Sequence, residues 1–100
     1  MHCVFSYDLS VDAGPRRQEI VDQIESILSP HNSVRRLTTF YILNVNDAQD
    51  WDNLRRQLTD FSQSIAESLF FILTPPQIGG HYDGLLRSGE WNEINIIAGN

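Results

Sequence analysis

The chain contains no lysine: its seven basic residues are all arginines, against 13 acidic residues and a formal net charge of −6. A balance this acidic disfavours broad, sequence-independent binding to nucleic acid, whose usual footprint is a basic surface. Cysteine is nearly absent too. With Cys3 alone, no internal disulfide forms and a zinc site built on several thiolates is excluded. Cys3 lies within an apolar run and reads as a small buried hydrophobe. Long apolar runs are missing as well, since the longest, 69–73, is far too short to span a bilayer. The opening residues lack the basic-then-apolar layout of a secretory signal, so a soluble, cytoplasmic protein is expected. There is no internal repeat, low-complexity segment or linker. One hundred residues that are 41% hydrophobic and 20% charged suit a single domain, 1–100, with one hydrophobic core.

Six of the arginines stand in adjacent pairs, Arg16-Arg17, Arg35-Arg36 and Arg55-Arg56. One reading is solvated helix and strand surface, where arginine is usually found. The other is a set of bidentate phosphate or carboxylate contacts, which arginine makes better than lysine. That second reading requires the pairs to converge in space, within one chain or across a dimer.

Apolar periodicity divides the chain into elements. From His2 to Asp8, Cys3, Phe5 and Tyr7 alternate with Val4, Ser6 and Asp8, which predicts a strand. "SVDAGP" is turn chemistry, with Asp12 or Gly14 as a candidate cap and Pro15 at the first position of a helix running to about Ser29. Ile20, Ile24, Ile27 and Leu28 form its buried stripe, and Pro30 ends it. Residues 34–45 are β-branched and aromatic and predict a long strand, buried at least partly on both sides. A second helix follows, capped by Asn46 or Asp47, with Asp50 and Asp52 at the positive end of its dipole. Trp51, Leu54, Leu58, Phe61 and Ile65 make its apolar stripe. The continuous block 68–74 predicts a central strand that Pro75-Pro76 terminates. "PPQIGGHYDGLLRSGE" is a long Gly/Pro-rich loop, with one helical turn between His81 and Leu86, and Ile94, Ile96 and Ile97 predict a last strand over 93–98.

Four strands and two helices in this order favour an α+β, ferredoxin-like sandwich, an antiparallel sheet with both helices on one face. That arrangement needs a hairpin between its second and third strands. A break in 34–45 near Arg36 or Thr39 would supply it. The opposite sheet face would then be partly apolar and uncovered, so a homodimer that packs or extends the sheet is expected.

Asp8 ends the first strand. As a bland turn residue it caps the following segment with its own side chain. As a functional residue it projects into a crevice, and a symmetric dimer that faced two copies would suit a hard divalent cation, Mg2+ or Mn2+, able to activate water for phosphodiester cleavage. "VFSYDLS", followed by Arg16-Arg17 on a helix, resembles the start of the CRISPR-associated protein 2 family and of the related virulence-associated protein D ribonucleases, and "LTTFYI" is similar to their second-strand segment. The resemblance covers roughly the first half of the chain. It implies a ferredoxin-like homodimer in which Asp8 is the metal-binding, catalytic carboxylate of a nuclease, with Arg16 and Arg17 as nucleic-acid contacts. Many relatives act instead as structural adaptors. The "PPQIGGHYDGLL" loop is foreign to that group.

Two other classes compete. One is a non-catalytic, homodimeric interaction module whose 75–90 loop takes a protein partner. The other is a small-molecule enzyme of the dimeric α+β barrel type with His81 or Tyr82 in a pocket. His2, His31 and His81 are each a base or ligand in principle. "HYDG" has neither metal-ligand spacing nor a triad pattern, and Gly79-Gly80 lacks the strand-to-helix setting of a phosphate loop. Trp51 and Trp91 read as core and rim anchors.

Overall fold

A computed structural model of the chain describes residues 1–37, 39–65, 68–79 and 90–99. Its strands are β1 (His2–Leu9), β2 (Ser33–Leu37), β3 (Phe40–Asn44) and β4 (Leu69–Leu73), and its helices are α1 (Arg17–Leu28), α2 (Ala48–Ser64) and α3 (Glu90–Ala98). The chain thus runs β1-α1-β2-β3-α2-β4-α3. One antiparallel sheet holds all four strands in the order β2-β3-β1-β4.

The expected single strand over 34–45 is instead a hairpin. It reverses between Leu37 and Phe40, in the interval anticipated for a break, with a register irregularity between Arg35 and Leu37. Period-two alternation reads the same on both sides of a tight turn, so it could not reveal the reversal.

The expected strand over 93–98 is a helix. Ile94, Ile97 and Ala98 are buried at helical spacing, while Ile96 between them is 72% exposed. Three isoleucines suit either period, and the burial pattern identifies the right one. The 68–74 block is an edge strand rather than a central one. Leu69 is buried, but Phe70 and Ile72 on the opposite face are exposed. A continuous apolar run therefore does not mark burial on both faces here.

Two clusters hold the sheet from opposite sides. Cys3, Phe5, Tyr7, Tyr41 and Leu43 turn toward α1 and α2 and meet Ile20, Ile24, Leu28, Leu54 and Leu58. Phe5 is fully buried, with ring centroids of Tyr7, Tyr41 and Phe71 at 5.6, 5.8 and 5.8 Å. On the other face, Ile42 packs with Ile94 and Ile97, and Val4 and Phe40 lean on that group. The face expected to lie uncovered is therefore partly covered: α3 shields β3 and β2, and no described helix packs on that face of β4, where Phe70 and Ile72 are exposed.

Between β1 and α1 the chain makes a 3-10 turn over Val11–Arg16. Gly14 adopts φ 48° there, a left-handed conformation that a side-chain-bearing residue resists. The N-cap of α1 is Arg16, without a side-chain bond, rather than Gly14; the Asp12 side chain lies outside the described ones. Pro15 sits in the 3-10 turn, just ahead of the α-helix.

At α2 the expectation for Asp47 holds. Its Oδ1 accepts from the Asp50 N–H at 2.8 Å, while Asp50 Oδ2 accepts from the Asn46 N–H at 2.8 Å. Trp51, half-buried, donates its Nε1–H to the Thr74 carbonyl at 2.9 Å and so pins the start of α2 to the end of β4. Asp47→Ala is expected to lower unfolding stability by about 1 kcal/mol, visible as a lower urea midpoint at unchanged slope. Most of the 75–90 loop, including His81, Tyr82 and Asp83, and the side chain of Trp91 lie outside the described residues.

Candidate functional site

β1 is a central strand, and its C-terminal end is where the fold opens. Tyr7 turns into the core. Asp8, the next residue, turns the other way and is exposed, opposite Phe70 of β4. Among the described residues no hydrogen bond or ion pair engages the Asp8 carboxylate. The turn-capping role considered for it is not the one the structure displays, because the following 3-10 turn has Ser10 as N-cap and no side-chain cap bond.

An open cleft of about 560 Å³ begins at Asp8 and runs between α1 and the β2–β3 hairpin, with Arg17, Asp22, Glu25 and Arg35 along it. Most of these charges already have partners. Glu25 Oε1 accepts from Arg35 Nη1 at 3.2 Å and from the Tyr41 hydroxyl at 3.1 Å. The Arg35 guanidinium lies 5.5 Å from the Tyr41 ring centroid. Burial pushes the Tyr41 phenol above its ordinary range, and the bond to Glu25 adds to that shift. Asp22 accepts from Gln18 Nε2 at 2.8 Å. Arg17 donates to the Ser10 carbonyl at 3.3 Å, which leaves most of its five N–H donors without a partner among the described residues. Asp8 and Arg17 are thus the least committed charges in this region.

The arginine pairs do not all converge. Arg17 and Arg35 share the cleft, but Arg16 turns aside and donates to Ser68 Oγ at 3.4 Å. Consecutive helical residues point about 100° apart, so an adjacent pair rarely serves one site. Arg55 and Arg56 sit on α2, and both bond Asp52, each at 2.8 Å. The Arg55 bond holds the Asp52 carboxyl below its usual range. The Arg36 side chain lies outside the described ones.

A separate polar cluster occupies the opposite end of the sheet. His31 Nδ1 lies 3.1 Å from the Asn44 carbonyl and 3.7 Å from Asp50 Oδ2. Burial lowers the His2 pKa, with the N-terminal charge acting in the same sense. Cys3 is fully buried, and its thiol is pushed up to about 11, first by burial and then by the Asp50 charge.

Two consequences of the Cys3 environment are testable. At pH 8 Cys3 should react with a thiol reagent about a hundredfold slower than in the urea-unfolded chain, because the thiolate is that much scarcer. Cys3 and Tyr41 both hold their protons more tightly folded than unfolded. The stability Cys3 contributes is complete below about pH 9 and is lost as pH rises from there through about 11, whereas that of Tyr41, whose pKa is higher both unfolded and folded, persists to higher pH; the urea midpoint should therefore begin to fall above pH 9 and go on falling beyond 11.

Sequence reasoning missed the Glu25–Arg35–Tyr41 and His31–Asp50–Asn44 groupings. Their members come from different elements, and no local motif announces them. Among the described residues no group of three or more His, Cys, Asp or Glu is placed to hold a metal ion, and no helix is long and apolar enough to cross a membrane. The architecture of the described residues is α+β, with an antiparallel sheet and three α-helices. No family model, curated protein or solved structure matches the chain.

Proposed function

We propose that the chain is a ferredoxin-like sandwich that acts as a cytoplasmic homodimer on nucleic-acid phosphodiesters, in the manner of the CRISPR-associated protein 2 group, with Asp8 as its metal-binding, catalytic carboxylate. The β-α-β-β-α-β order and the 2-3-1-4 antiparallel sheet support the fold. The observation that carries the activity is the position of Asp8: an exposed carboxylate without a protein partner among the described residues, at the C-terminal end of a central strand, on a residue that borders the cleft lined by Arg17. A buried or ion-paired carboxylate would be spent on structure. An exposed one is free to meet a cation.

One carboxylate per subunit suits Mg2+ or Mn2+, which keep several waters as ligands. When bound, such an ion supplies an activated water and neutralises charge on the phosphate. Arg17 would hold a neighbouring phosphate, with Arg16 reaching the strand on the other side of the helix start. The net charge of −6 favours this local grip over a broad electrostatic one. Magnesium- or manganese-dependent cutting of single-stranded RNA and DNA by wild type and by Asp8→Ala tests the reading. Equal cutting by both would remove Asp8 from it.

A second reading has its own observation. Phe70 and Ile72 are 58% and 72% exposed on the open half of the sheet, and Ile78, in the described part of the 75–90 loop, is 85% exposed. A non-catalytic module that captures a protein partner through these residues would show no metal affinity. Shortening the loop would abolish capture.

A further inference from the structure

We infer that the outer edge of β4 pairs with β4 of a second copy, antiparallel and centred on Phe71, to give one continuous sheet across the dimer. The inference deepens the homodimer of the proposed function and is independent of its chemistry.

The hydrogen-bond phase of β4 sets the register. Thr74 N–H donates to the Val4 carbonyl at 2.9 Å, and Ser10 N–H donates to the Ser68 carbonyl at 3.0 Å. Antiparallel pairs alternate between bonded and non-bonded, so residues 68, 70, 72 and 74 spend their backbone groups on β1. Leu69, Phe71 and Leu73 therefore point theirs outward. The Ser62 hydroxyl, which reaches the Leu69 carbonyl at 2.9 Å from α2, agrees with that direction and leaves a lone pair on the oxygen. Among the described residues no strand lies beyond β4.

An edge of this composition is unusual for a protein that stays monomeric. Edges are ordinarily protected by charge, proline or a bulge, and 69–73 contains no charged residue and no proline. Pro75 and Pro76 follow directly, and lacking N–H groups they stop a ladder from running past Thr74.

The strand is its own complement. With a two-fold axis through Phe71, normal to the sheet, Phe71 exchanges both backbone bonds with its counterpart. Leu69 does the same with Leu73 of the second copy, and no outward group is left over. This axis keeps each face on its own side. Leu69, Phe71 and Leu73 stay over the helices, while Phe70 of one copy stands opposite Ile72 of the other on the open face. That is a non-bonded pair, the kind whose side chains approach most closely. Four exposed apolar side chains thereby merge into one patch. With no charge on 69–73, the seam itself brings no like charges into contact, although each chain carries a net −6.

In this dimer the two Asp8 residues lie on the same sheet face, separated laterally by three inter-strand spacings, about 14 Å. The two carboxylates therefore do not face one another across the axis, unlike the arrangement expected from the sequence.

Sedimentation velocity on three full-length chains tests the register. Wild type should run at twice the 11.5 kDa chain mass. Phe70→Lys with Ile72→Lys places like charges in directly opposed positions and should run as a monomer with unchanged circular dichroism. Phe70→Lys with Ile72→Glu sets opposite charges across the axis and should run as a dimer again. A monomeric wild type, a dimeric lysine pair, or a lysine–glutamate pair that stays monomeric would each overturn the inference. Because the readout is mass, a chain that dimerises in this pattern but never cuts nucleic acid refutes the nuclease alone, and one that cuts while wild type is monomeric refutes the interface alone.

Discussion

Phe5→Ala is expected to cost about 3–5 kcal/mol of unfolding free energy, seen as a large fall in the urea or thermal midpoint. Phe5 is fully buried on a central strand, and three aromatic rings surround it, from β1, β3 and β4. Truncation leaves a cavity that neighbours on three different strands cannot close together. Small domains have only about 5–15 kcal/mol in total, so this one change brings the protein near the unfolding threshold. Val11→Ala is the matching control. Val11 is 91% exposed, and its truncation should stay within about 0.5 kcal/mol of wild type. If the two variants unfold alike, the aromatic cluster is not the centre of the core.

Asp8→Ala should have the opposite profile, with a large effect on activity and almost none on stability. Its carboxylate is exposed and engages no partner among the described residues, so its removal should shift unfolding by no more than about 0.5 kcal/mol. A metal-bound transition state is stabilised by several kcal/mol, and each 1.36 kcal/mol is tenfold in rate. On the proposed reading, losing the Asp8 carboxylate should therefore reduce metal-dependent cleavage by about a hundredfold or more. Asp8→Asn preserves shape and should be nearly as inactive, because the charge is what the cation needs. Chelation should silence the wild type to the level of either variant. Activity that survives chelation or either substitution would show that the phosphodiester chemistry lies elsewhere.

The two profiles differ because alternation along β1 sends Phe5 and Asp8 to opposite faces. That alternation was legible directly: Cys3, Phe5 and Tyr7 are the buried set. The α2 stripe and its Asp47 cap were equally legible, since both are patterns within a few residues. Asp8 was legible as an exposed strand end and nothing more. Its freedom from partners depends on Ser10 and the 3-10 turn not needing it. Arg16 and Arg17 looked like a unit in sequence, and the helix separated them.

By itself, then, the sequence determined where apolar faces lie along β1, α1 and α2, and where turns interrupt them, because those features follow from side-chain period and local capping chemistry. Tertiary structure alone decided that 34–45 is a hairpin, that Ile94 and Ile97 belong to a helix, and that β4 is an edge. In each case the same residues satisfy two local geometries. The choice is made by which one can bury its apolar side against the other elements: α3 on Ile42, the hairpin over α1, and β4 beside β1 with no described strand beyond it.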